Sequence, residues 1–369
     1  MALIDNQALL KRVIEAESQG ARTALFTAKN QISYFNVFEK FDLSVIDSSL
    51  SGTHPAFIIN GVEVSKIYIG AYPGVIKNGE LLSLPNQQPT INTSYDQFVA
   101  AAKACGNGFH MMTAAEWSLA ALRSYMNGTQ PQGNTYWGRS ADDATQFGRR
   151  IDGKAVGTVP GATEVEFTDY NSLIYNGSGP VKFRHNAKYT GVSDLGGGIN
   201  QFCSGVRLIG KELQVIANND AAMTSADLSA ASALWKAIDA TNGNLITPNG
   251  SGTTTNSIKF AANGTVADYS ISISGLFGNL TNPSTTAPVS QAAMNKLKAL
   301  GLFPLISSRP DLFGNDLCSI NLDGTGELIM HKSASKASGT GGGIFAQSMS
   351  FSRAATSPNH TSRPCYYIV

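Results

Sequence analysis

Residues 189–217 read "YTGVSDLGGGINQFCSGVRLIGKELQVIA". After the three glycines, Ile199, Gln201 and Cys203 alternate with polar or small neighbours, and two further β-like pieces flank Gly210-Lys211. Alternation with a period of two marks a strand half-covered by a core, so the stretch predicts a small antiparallel meander. Three glycines in a row are also compatible with a phosphate loop. That reading needs the G-x-x-x-x-G-K-S/T spacing and a helix pattern behind it, and neither is present, so the glycines are read as a tight turn or bulge.

The flanks extend the same theme. Residues 54–85, "HPAFIINGVEVSKIYIGAYPGVIKNGELLSLP", hold short apolar runs broken at Asn60-Gly61 and Asn78-Gly79, which favour two-residue hairpin turns. Two helices carry start and stop signals. Ser94 with Gln97, and Thr113 with Glu116, form capping-box patterns, and Gly106 and Gly128 are the stops. Leu119, Leu122 and Met126 are expected on one buried face of the second helix. Residues 217–300 read as an inserted subdomain, with a helix at 225–243, strands at "NSIKFA" and "DYSISISG", and a helix at 290–301. Residues 316–332 read as a hairpin across Asp323-Gly324, and no internal repeat is visible. Residues 1–54 read as an N-terminal oligomerisation or attachment region whose helix presents Leu9, Leu10 and Val13, either to a sister chain or to its own domain.

Composition narrows the function. Of the 369 residues only 14% are charged, with 27 basic against 26 acidic and a net charge of +1. No basic stripe exists to hold nucleic acid, and no apolar run is long enough for a membrane span. The first twenty residues lack a basic start followed by an apolar core, so no secretion signal is expected. Cys105, Cys203, Cys318 and Cys365 are scattered without a C-x-x-C pair and read as buried thiols. The five histidines show no metal-pair spacing, and no hydrolase motif appears. "NLDGTGE" sets Asn321, Asp323, Thr325 and Glu327 as alternating oxygens, which leaves a structural Ca²⁺ open beside the simpler reading as a turn; no other cofactor is expected.

In their order, "GFHMMTAAEWSLAAL", "QPQGNTYWGRS", "DLGGGINQFCSGV" and the terminal "GGGIFAQSMSFSRAATSPNHTSRPCYYIV" resemble the C-type lectin fold. The version resembled is the one shared by formylglycine-generating enzymes and the variable proteins of diversity-generating retroelements. Gly198, Gln201 and Phe202 replace the Asn, Glu and Trp usual in the family's Asp-Leu-x-Gly-Asn-Val-x-Glu-Trp motif. The likeness covers roughly residues 55–216 and 300–369, and it implies an α+β domain of C-type lectin fold. Its 130–140 segment and ending are most like receptor-binding tail-fibre proteins of bacteriophages.

What the resemblance implies is a non-enzymatic binder on a virion or bacterial surface, engaging a host-surface protein or glycan, with a homo-oligomer such as a trimer. The displayed residues would be Phe345, Gln347, Ser348, Ser350, Ser352, Arg353, Ala355, Ser357, Asn359 and His360. Met349 and Phe351 would point inward between outward serines. The alternatives are an oxidoreductase of the formylglycine-generating type, which would need Cys318 beside Cys365, and a structural fibre component without a recognition role.

Overall fold

The strand Pro364–Tyr366 lies inside the first sheet, between Lys66–Gly70 and Phe109–Met111, although both of these come far earlier in the sequence. A computed structural model describes residues 6–161, 170–324 and 326–368. The architecture is mixed α+β with a curled sheet. In the five-stranded first sheet the order is Arg22–Phe26, Ile32–Glu39, Lys66–Gly70, Pro364–Tyr366 and Phe109–Met111, antiparallel throughout. Residues 22–39 are thus strands of the main body, and the first 54 residues do not stand apart from it.

The second sheet is built on the meander. Asn200–Ile209 turns at Gly210 into Glu212–Val215, and on its other side pairs with Glu327–Lys332. Next comes Gln347–Phe351, antiparallel to Glu327–Lys332, and then Cys318–Ile320 parallel to it. Residues 316–332 are therefore not a hairpin. Asp323 N–H caps on the Asn321 side chain as expected of a turn, but the later strand inserts between the two arms. Both Asn-Gly pairs do form hairpin turns, with positive φ at Asn60, Gly61, Asn78 and Gly79.

Helix α1 (Asn6–Glu17) buries none of its residues, and Leu9, Leu10 and Val13 are exposed. Helices α2 (Tyr95–Lys103) and α3 (Ala114–Met126) start on complete capping boxes, Ser94/Gln97 and Thr113/Glu116. The second is enclosed on nearly every side rather than along one face: Ala114 to Leu122 are all buried, and Met126, expected inside, is exposed. Its alanines let both sheets close on it. Trp117 donates to the Ile344 carbonyl at 2.7 Å, tying the helix to the terminal segment.

Residues 217–300 extend the second sheet, although Ala221, Ala226, Leu228 and Trp235 form a small apolar cluster of their own with Ile216. Lys236–Ile238, Leu245–Ile246 and Lys259–Ala261 join the meander, and Ile238, Phe260 and Ile271 belong to the same apolar cluster as Trp117 and Ile69. The expected helix at 225–243 is absent; the segment is turns followed by Lys236–Ile238. Asp227, Ser232 and Asp239 each accept a backbone N–H two residues on, the local bonding by which Asp and Ser compete with helix formation. The helix expected at 290–301 does form, as α4 (Gln291–Ala299) capped by Ser290. Among the described residues no helix is long and apolar enough to cross a membrane.

Arg363 locks the two sheets together. Its guanidinium has no solvent exposure and donates to Gly70 O at 2.8 Å, Ser193 O at 2.8 Å, Asp194 O at 3.3 Å and Gln201 Oε1 at 3.1 Å. Burial pulls its pKa down to about 10. Replacing it orphans several buried carbonyls at once, so Arg363→Ala is expected to cost at least about 3 kcal/mol of unfolding free energy, read by urea denaturation. An unchanged midpoint would remove Arg363 from this role.

Candidate functional site

The terminal segment is anchored at its start by a buried carboxylate. Asp316 accepts the Phe345 N–H at 2.6 Å, and the glycine run wraps round it so closely that a Cβ on Gly343 would sit 2.1 Å from Asp316 Oδ1. Only glycine leaves room there. Burial raises the Asp316 pKa to about 8, against the pull of the Phe345, Ala346 and Gly343 amides. Phe345 then stacks on Phe277 at 5.3 Å and meets Phe313 edge-on.

Gln347–Phe351 follows as a strand with an inner and an outer face. Gln347 is buried, accepts from Lys332 Nζ at 2.8 Å and donates to Cys318 Sγ. Met349 is also buried. Ser348 and Ser350 are half-exposed, with Ser350 beside Ser319 of the neighbouring strand at 3.5 Å. Phe351 breaks the expected alternation and is 39% exposed, because the register shifts at Met330 and turns it outward against the rings of His331 and His360.

Beyond Phe351 the chain forms a loop held from beneath. Arg353 reaches Glu327 through two bonds of 2.7 and 2.9 Å and Asp96 at 2.6 Å, and lies 4.7 Å over the Tyr95 ring. Its pKa is raised because those bonds outweigh burial. Backbone carbonyls of Arg353 and Ser357 accept from Tyr95 and Asn92, at the start of α2. Asn359 O accepts from Asn200, and His360–Thr361 joins Asn200–Ile209 as a parallel pair.

The sequence-derived site residues thus fall into two groups. Ser348, Ser350, Ser352, Ala355, Ser357 and Asn359 reach the surface. Phe345, Gln347 and His360 do not, being 2%, 2% and 1% exposed, and Arg353 is a clamp. Small residues in a row could not reveal which would be drawn inward, since that follows from partners distant in sequence. The sequence reading expected Phe351 to point inward, and it missed the clamp partners Tyr95, Asp96 and Glu327. For Glu327 a signal existed but pointed elsewhere. Its carboxylate is taken by Arg207 and Arg353, so it does not join Asn321 and Asp323 around a cation; Thr325 lies outside the described residues.

Under the loop, Phe202 is an aromatic hub touching Tyr95, Phe98, His331 and His360. His331 Nε2, both His360 nitrogens and the Tyr95 hydroxyl are buried without a partner among the described residues. Burial lowers His360 to about 4 and His331 well below the ordinary range.

Among the described residues one trio could offer three metal ligands: His110, Glu116 and Cys365, all buried. His110 Nδ1 must donate to Gly108 O at 2.9 Å, since a carbonyl cannot, and Nε2 faces Glu116 Oε1 at 2.7 Å. Glu116 also accepts from Thr113 N–H and Asn219. Burial opposes its charge, but His110 and these bonds bring its pKa below the usual value. The trio reads as a satisfied hydrogen-bonded cluster in which His110 ties Phe109–Met111 to Glu116 of α3, with Cys365 of the terminal strand beside them. All four cysteines are free and buried, and burial pushes Cys318 to about 11 and Cys365 well above the ordinary thiol value. Compared with known proteins, the chain matches no family model and no curated protein.

The buried histidines set a pH dependence. Their folded pKa values lie below the unfolded value near 6.5, so the unfolded chain takes up protons that the folded one refuses. Stability is fully present above about pH 6.5 and falls as pH drops toward 4. For His360 alone the loss between pH 7 and pH 4.5 is about 2.5 kcal/mol, each tenfold difference in proton affinity between the unfolded and folded chain being worth about 1.4 kcal/mol. His360→Asn is expected to flatten the stability-versus-pH curve by that amount in denaturant titrations. An unaltered slope would show that His360 is not buried neutral.

Proposed function

We propose that the chain is a recognition protein of C-type lectin type, presenting Ser348, Ser350, Phe351, Ser352, Ala354, Ala355, Thr356, Ser357 and Asn359 as an exchangeable ligand-binding patch. One observation carries the reading: exposed small side chains sit on a segment whose backbone is fastened before, within and after them. Asp316 and Phe345 hold the start, Arg353 the middle, and Arg363 the end. A backbone held in this way loses little conformational freedom on binding, and its exposed side chains can change without disturbing the core.

The order of motifs shared with retroelement-variable proteins and phage tail fibres supports a host-surface protein or glycan as ligand, on a virion or bacterial surface. The uncovered apolar residues of α1 suit a homo-oligomer such as a trimer, in which several weak patches act together. An oxidoreductase of the formylglycine-generating type is less well supported. Cys318 and Cys365 lie in different sheets, and both thiols have raised pKa values, which leaves little thiolate to react.

Exchanging Ser352, Ala354 and Thr356 together for Tyr, Asn and Arg is expected to change binding of the labelled protein to bacterial cells or a glycan array at least tenfold. The melting midpoint should move by less than about 2 °C. Equal binding by both forms would favour a structural component without a recognition role. Separately, a near-copy of the 346–362 coding stretch, differing at adenines and lying beside a reverse-transcriptase gene, would establish diversification.

A further inference from the structure

A cleft opens on a different part of the molecule, where the loops after Ile32–Glu39 meet the residues following Glu212–Val215 and one side of α4. Its volume is about 340 Å³, within the size range of small-ligand sites. The floor is apolar: Leu43, Leu50, Val215 and Leu300 are each no more than 5% exposed yet line it. The mouth is polar, with Ser51, Asn218 and Lys296.

Lys296 is the unusual member. It is half-buried, and no described residue offers its ammonium a hydrogen bond or a carboxylate; burial alone lowers its pKa. Lys298, two residues on, has Asp47 nearby. The side chains of Ser51 and Asn218 likewise have no partner among the described residues. Asn218 is nonetheless held in place, because its neighbour Asn219 is tied to Ala56 O at 2.9 Å, Ile58 O at 3.0 Å and the buried Glu116.

The half-buried ammonium has no counter-charge among the described residues, and a ligand anion placed against it would form a charge pair beside an apolar floor, where the attraction is stronger than in open water. One cation asks for one negative charge, the neighbouring hydroxyl and amide supply further donors, and the apolar floor asks for a hydrocarbon body. We propose that this cleft binds a small amphipathic monoanion, a carboxylate carrying an apolar tail, with Lys296 as its charge partner. None of its residues belongs to the terminal segment, so the site stands independently of the recognition patch.

Isothermal titration of the full chain with octanoate, 1-octanol and octylammonium tests this. Octanoate is expected to bind at one saturable site, at least tenfold more tightly than octanol, with octylammonium not binding. Lys296→Met should weaken octanoate about tenfold while Lys296→Arg retains it. Ala292→Trp, which fills the exposed mouth, should abolish binding without moving the melting midpoint. Octanol binding as tightly as octanoate, absence of saturable octanoate binding, or undiminished binding by Lys296→Met would each overturn the proposal.

Discussion

The fold depends on one buried guanidinium. Arg363 donates to carbonyls from the first sheet and from the glycine-rich turn, and to the side chain of Gln201 at the start of the second sheet. A charge in that position is tolerable only because nearly every donor has an acceptor. It sets the spacing between the sheets, fixes the turn ahead of the meander, and places Pro364–Tyr366 between Lys66–Gly70 and Phe109–Met111. The stretch between Gln347 and Ser362 is held at both ends and within, by strand pairing and by the Arg353 clamp, rather than trailing from the body.

Local chemistry made much of this visible beforehand. The Asn-Gly turns, both capping boxes and the strand pair at 200–215 are short-range patterns in which the deciding residues lie within a few positions of one another. The ordering of Cys318–Ile320, Gln347–Phe351 and Glu327–Lys332 was not visible, because it is set by pairing across the chain. The missing helix at 225–243 shows the converse: its apolar spacing suited a helix, yet Asp and Ser side chains claimed the backbone first, and Trp235 found its place against Arg207.

For the terminal segment, the sequence did not reveal the division into inward and outward positions. Gln347 and Ser348 are adjacent polar residues; one is buried against Lys332 and the other half-exposed. His360 could pass for a contact residue until Phe202, His331 and Phe351 are seen around it. Arg353 looks like a binding group on a surface loop, yet Glu327 and Asp96 occupy its donors. Such assignments depend on long-range neighbours that no local pattern encodes.

The place of Pro364–Tyr366 in the chain has a genetic corollary. A frameshift or premature stop anywhere from 346 to 362 would scramble or delete an interior strand of the first sheet along with Arg363. A gene altered in that stretch would therefore yield either an intact reading frame and a folded product, or a polypeptide unable to complete its framework and open to degradation. Folding itself would act as the proofreader of whatever changes are written there.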